Sequence, residues 1–244
     1  MVDGVALLLG RPELRPWLAD ALDRMERRTD ASVDLVVRTD RAEPSADPHE
    51  YPFDAETVYA PVEPVEGGPR VRLPDAAVDR VARETDVAVQ NGVGILTGRI
   101  LTAPEHGVLS YHHGDIREYR GVVTHFWNYL NRDETAGVTL LQLTEELDAG
   151  RIAAETTLDV GDAVTWVELE RRKQRAGVPL LAEAVANLSD PEFEPTVVPE
   201  SELGEMYRSA DVTYPVIAKY LLYETAKAAY VRYRKLRYLL GLRS

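Results

Sequence analysis

Five short apolar runs constrain the fold of this chain more tightly than any other feature. They fall at residues 5–9, 33–37, 87–90, 108–111 and 138–143. The first, VALLL, has no polar position, so both of its faces must be covered, as in a buried parallel strand. Helical spacing fills the gaps. Leu14, Trp17, Leu18, Leu22 and Met25 mark a helix from Pro12 to about Arg28. Pro74 introduces a short helix over residues 75–84, and residues 126–130 suggest another. Residues 163–188 carry the longest helical pattern, with Val167, Leu169, Val178, Leu181, Ala184 and Leu188, and residues 155–158 suggest one more strand. Residues 40–74, rich in Pro, Asp, Glu and Gly, read as a long surface excursion. Strands alternating with helices predict an α/β class with an open, mainly parallel sheet flanked by helices.

The length of 244 residues suits one large domain with an appendage. We expect the domain over residues 1–188, an acidic, Pro-containing linker over 189–212 and a basic, Tyr-rich helical tail over 213–244. No apolar run approaches the roughly 18–20 residues that span a bilayer. The amino-terminal run reads as a first strand and not as a secretory leader, so a cytoplasmic setting is the default. Cysteine is absent, which excludes disulfides, thiolate metal sites and a cysteine nucleophile. Net charge is −13, with 41 acidic residues and only four lysines against 24 arginines. That balance resembles adaptation to a salt-rich cytoplasm, where self-repulsion is screened, and we expect a halophilic source. The acidity argues against phosphate-backbone partners, so no DNA is expected and tRNA is disfavoured.

The tail runs the other way. From Tyr214 onward it holds seven basic residues and one acid, Glu224, a side-chain charge of +6, which leaves −19 on the rest. It also holds six of the 12 tyrosines. It reads as a helix docked on the body, as a helix on an anionic membrane surface, or as a contact for an acidic partner. If it lies on a membrane, Tyr230, Tyr233 and Tyr238 should be exposed beside Arg232, Arg234 and Arg237. A homo-oligomer stays open.

Chemistry concentrates between Gly107 and Gly150. His106, His112, His113 and His125 fall within 20 residues. An acidic turn, Glu145, Glu146 and Asp148, follows the apolar run 138–143. A histidine at a strand end and a carboxylate on a Gly-bounded loop form an acid–base pair. His106, His112, His113 and Asp115 could be read as metal ligands, but adjacent strand residues point to opposite faces, and no metal is expected. Gly10, Arg11 and Pro12 do not make the G-x-G-x-x-G of a dinucleotide site, and no G-x-S-x-G serine elbow is present.

The stretch GVLSYHHGDIREYRG, residues 107–121, with TGRILTAPEHG before it and GVTLLQLTEELDAGRI after it, resembles the folate-dependent formyltransferases. These include the methionyl-tRNA, glycinamide-ribonucleotide and sugar-amine enzymes. The family has a strand ending Asn-x-His and a later Asp-x-Gly loop. His112 stands at the histidine and Asp148, 36 residues on, at the aspartate, while Ser110 stands where the family has asparagine. The resemblance covers roughly residues 1–188 and is strong over about 91–152. It implies a formyltransferase-like, Rossmann-like fold and formyl transfer from 10-formyltetrahydrofolate to an amine.

By the same resemblance His112 donates to the oxyanion and Asp148 orients it and accepts the amine proton, within direct or water-bridged reach. The NGVGILT loop is similar to the family's folate loop, implicating Asn91, Gly92, Val93, Gly94, Ile95 and Leu96, with main-chain groups on the pterin. Thr144, Glu145 and Glu146 match the loop that closes over it. Tyr119 and Arg120 also match, and together with His113 and Asp115 they are candidates for substrate binding. The SYHHGD variant, residues 110–115, resembles a polysaccharide-biosynthesis subfamily, implying a small-molecule acceptor, an amino sugar linked to a nucleotide. The alternatives are a methionyl-tRNA, purine-pathway or formyl-folate-hydrolysing enzyme of the same fold, or a non-catalytic scaffold. A tRNA enzyme carries a second, barrel-like domain, for which residues 189–244 look too short and too helical.

Overall fold

The computed structural model describes residues 1–40 and 51–239, without the side chains of Tyr238 and Leu239. Its strands are Gly4–Leu9 (β1), Ser32–Arg38 (β2), Glu56–Tyr59 (β3), Glu63–Pro64 (β4), Arg70–Arg72 (β5), Val87–Asn91 (β6), Ile95–Leu96 (β7), Val108–His112 (β8), Tyr119–Gly121 (β9), Thr135–Gln142 (β10), Arg151–Asp159 (β11) and Glu205–Tyr207 (β12). Its α-helices are Pro16–Arg28 (α1), Asp75–Glu84 (α2), Thr124–Asn131 (α3), Trp166–Gly177 (α4), Leu180–Ser189 (α5) and Tyr214–Leu239 (α6). The main sheet has the order β11-β10-β8-β6-β1-β2-β3. Strands β8, β6, β1, β2 and β3 pair in parallel, whereas β10 pairs antiparallel with both β8 and β11.

The apolar run of β1 shows why this sheet needs two layers. Val5, Leu7 and Leu9 pack with Leu18, Leu22 and Met25 of α1 and with Leu181 and Val185 of α5. Ala6 and Leu8 pack with Val78 and Val81 of α2 on the opposite face. Every residue of β1 is buried, so neither face tolerates a polar side chain.

Four expectations change. The helical pattern over 163–188 is two helices, because Pro179 lacks an N–H and its ring blocks a continuous turn. The strand expected at 155–158 runs from Arg151 to Asp159 and forms a hairpin with β10. Within the excursion expected over 40–74, residues 41–50 lie outside the described residues. The remainder supplies the edge strand β3 and the strands β4 and β5, which join β7 in a small second sheet.

The stretch expected as a linker, 189–212, is packed onto the body. Thr196 exchanges both main-chain hydrogen bonds with Ile152 at 2.8 and 2.9 Å. Val198 and Leu203 cover Ile116, Leu141 and Ile152, and β12 pairs in parallel with β9. Gly121 permits that pairing, since a Cβ there would sit 1.8 Å from the Tyr207 carbonyl oxygen and its φ is +86°. Its acidic, Pro-rich composition hid a segment held by main-chain hydrogen bonds and a few apolar contacts.

Helix α6 is docked over its first half. Tyr220 meets Phe126 with ring centroids 5.6 Å apart, and Tyr223 meets Tyr129 at 5.1 Å. The Lys227 ammonium lies over the Tyr129 ring and the Arg132 guanidinium over Tyr223. Residues 229–236 are exposed, Tyr230 and Tyr233 among them, while the Tyr238 side chain and residues 240–244 lie outside the described residues. Among the described residues no helix is long and apolar enough to cross a membrane.

Candidate active site

Strand β8 separates its residues by alternation. Tyr111 and His113 point to the α1 side, where each ring meets Trp17 edge-on at 4.9 and 5.2 Å. Ser110 and His112 point the other way. Because β10 is antiparallel, its end at Gln142 lies beside Leu109, upstream of His112. The following loop, residues 143–150, therefore folds back and delivers Asp148 to the histidine. Asp148 sits in the left-handed region with φ 47°.

The Asp148 Oδ1 lies 3.9 Å from His112 Nδ1, longer than a direct hydrogen bond. Asp148 Oδ2 accepts a 2.7 Å bond from the Gly121 N–H. His112 Nε2 is 2.8 Å from the Tyr119 carbonyl oxygen, which fixes Nε2 as the protonated nitrogen. Burial holds the His112 pKa below the usual histidine value, and the Asp148 charge only partly opposes it.

A cleft of roughly 670 Å³ opens beside this pair, lined on one side by Gly94, Ile95 and Leu96 and on the other by residues 143–148. Gln90, Ser110 and Gly121 also line it. Thr97 Oγ1 and the Gly98 N–H donate to the Glu145 carboxylate, the latter at 2.8 Å, tying the two walls together. Those two donors hold the Glu145 carboxyl below its ordinary pKa. Ser110, Asp148, Thr144, Glu145 and Glu146 thus line one cleft. His112 lies behind Asp148, out of the cleft lining, and Asn91, Gly92 and Val93 are outside the lining as well.

The residues expected to bind substrate are dispersed. His113 is half-buried against Trp17 on the far face, with its pKa pushed down to about 3 by desolvation and by the nearby Lys173 charge. Asp115 accepts from the main chain and guanidinium of Arg117. The Tyr119 hydroxyl donates to Asp133, and Arg120 anchors the Gly204 carbonyl. Tyr119 and Arg120 share the short β9 that braces β12, and none of the four lines the cleft. Among the described residues no group of three or more His, Cys, Asp or Glu is arranged to hold a metal ion.

Two side chains escaped the sequence reading. Gln90 Nε2 donates a 2.6 Å bond to Ser110 Oγ, and Gln90 Oε1 accepts from the Val93 N–H at 3.4 Å. Lys173 is fully buried, donating to the His113 carbonyl at 2.7 Å and to Asn128 Oδ1. Burial pulls its pKa down to about 7, against the pull of Asp133 and Glu118. A polar residue at a strand end and a lone lysine on an amphipathic helix carry no sequence signal of their own.

Residues 55–185 match the formyl transferase family across more than half of the sequence. The chain belongs to the formyl transferase family. It is 29% identical over 154 residues to the methionyl-tRNA formyltransferase of Bacillus licheniformis, covering 57% of this chain and 49% of that protein. The chain thus spans about half the length of the curated relatives it matches. In fold it is similar to a formyltetrahydrofolate deformylase from Pseudomonas syringae, with a TM-score of 0.61 and 21% identity over 82% of this chain and 67% of that one. It is also similar to an N-formyltransferase from Helicobacter canadensis in complex with folinic acid and dTDP-3-aminofucose. There the TM-score is 0.58 and the identity 11%, over 86% of this chain and 72% of that one. The mainly parallel, helix-flanked sheet of this family is the one described above.

Proposed function

We propose that this formyl transferase family member moves a formyl group from 10-formyltetrahydrofolate to a primary amine, and that the amine belongs to a nucleotide-linked amino sugar. The observation that carries this reading is one cleft onto which Ser110, Asp148 and the two loop walls converge, with His112 behind Asp148. The donor suits the cleft: a flat ring system enters between Ile95–Leu96 and residues 143–148, joined at one edge by the Thr97–Glu145 contact. In the transfer, the acceptor nitrogen bonds to the formyl carbon and the bond from that carbon to the folate nitrogen breaks. The amine proton passes to Asp148 and then to the leaving nitrogen. Neutral His112, donating through Nε2 to Tyr119, leaves its bare Nδ1 beside the carboxylate, ready to share that proton.

The acidic body supports a small acceptor over a polyanionic one. The reading carries with it action in a salt-rich cytoplasm and contact of residues 213–244 with an anionic membrane surface. The similarity to a deformylase favours one rival, in which water replaces the amine. Purified protein with 10-formyltetrahydrofolate and a panel of nucleotide-linked amino sugars separates the two. Formylated sugar supports transfer, formate released without any acceptor supports hydrolysis, and neither product overturns both.

A further inference from the structure

In this chain serine stands where the resemblance places asparagine, and its hydroxyl reaches less far than a carboxamide. A carboxamide is nevertheless present. Gln90 on β6 is the direct register partner of Ser110 on β8. Both are half-buried and both line the cleft. The amide is oriented at both ends, since Nε2 donates to Ser110 Oγ at 2.6 Å and Oε1 accepts the Val93 N–H. Among the described residues the second N–H of Nε2 has no protein acceptor, nor does the Ser110 hydroxyl proton. Two unspent donors thus sit side by side at the floor of the cleft. His112, by contrast, has committed its Nε2 proton to the Tyr119 carbonyl.

We propose that Gln90 is a catalytic residue of this site: its carboxamide, paired with Ser110 across two strands, donates to the oxygen of the formyl group and supplies the amide that Ser110 lacks. The assignment rests on the formyl-transfer reading above. Polarising the Ser110 hydroxyl is part of the same act, because an oxygen that accepts from Gln90 becomes a better donor towards the cleft.

The test is a small mutant cycle on the full chain, with transfer rates and the binding of a non-reactive 10-formyl-folate analogue measured on each protein. Gln90→Leu should lower kcat by about 10²-fold, the usual effect of losing one oxyanion donor, with analogue binding changed far less. Adding Ser110→Asn to Gln90→Leu should recover at least about tenfold of that loss, because the amide returns on the neighbouring strand. Gln90→Glu keeps the acceptor for the Val93 N–H and loses the donor, so it should fall like Gln90→Leu; it serves if the leucine variant does not fold. A folded Gln90 variant with wild-type kcat, or a double variant with no recovery, overturns the role of Gln90 and leaves formyl transfer standing. A wild-type chain that binds the analogue and transfers formyl to no amine overturns the reading beneath it, and the role of Gln90 with it.

Discussion

Of the three expected catalytic groups Asp148 and Ser110 line the cleft, and the Asp148 geometry sets what substitutions around it should do. Asp148→Asn removes the proton acceptor while keeping an oxygen for the Gly121 N–H. Turnover should fall about 10²-fold or more with the melting temperature nearly unchanged. His112→Ala should reduce turnover comparably and also unfold more readily, since a buried ring is lost. Stopped assays and thermal melts on the two variants distinguish these outcomes. His113 makes a separate prediction about pH. Its folded pKa near 3 lies below the unfolded value of about 6.5, so the folded state resists protonation. The stability tied to its neutral form is fully present above about pH 6.5 and is lost as pH falls below that towards 3. His113 Nδ1 is also buried without a partner. His113→Phe should therefore gain about 1–2 kcal/mol relative to wild type when urea unfolding is compared at pH 5 and pH 7. Parallel pH dependence in the two proteins would show that the acid limb arises elsewhere.

The loop following β10 and the terminal helix raise different questions at the level of whole elements. Glu145 closes the cleft through Thr97 and Gly98, and two such bonds are worth about 1–3 kcal/mol. Glu145→Ala should weaken binding of the folate analogue by about tenfold and alter kcat at saturation much less. Titration calorimetry with steady-state kinetics reads both, and unchanged binding would mean that the wall holds its place without the clamp. Helix α6 has one half docked on α3 and one half, residues 229–236, in solvent. A chain cut after residue 212 should melt lower by about 3 °C or more, since the Tyr220 and Tyr223 contacts go with it. The full chain should float with anionic vesicles at low salt and release at high salt, and the cut chain should not float. If the full chain stays in solution at low salt, the membrane contact is wrong and only the docking remains.

For the molecule as a whole the governing quantity is charge. A net charge of −13 strains a chain of this size at low ionic strength, and the Debye length shrinks from about 10 Å at 0.1 M salt to 3 Å at 1 M. The melting temperature should climb by at least about 3 °C between those concentrations, the response to roughly 1 kcal/mol. A flat or falling trend would remove the salt-adaptation reading.

Local pattern was enough to show the strand–helix alternation, the two-sided burial of β1, and the histidine and aspartate at their characteristic separation. The first two are written within a few neighbouring residues, through side-chain alternation and helical spacing, while the third rests on the family resemblance across 36 residues. Pairing of distant segments settled the rest. The antiparallel turn of β10 folds the Asp148 loop back over the strand end and leaves His112 behind the carboxylate. Alternation along β8 turns His113 to the opposite face, against Trp17, although its sequence position beside His112 suggested the site. Residues 189–212 became part of the body because their main-chain groups found partners at Ile152 and β9. The register of β6 against β8, which no local pattern encodes, set Gln90 beside Ser110.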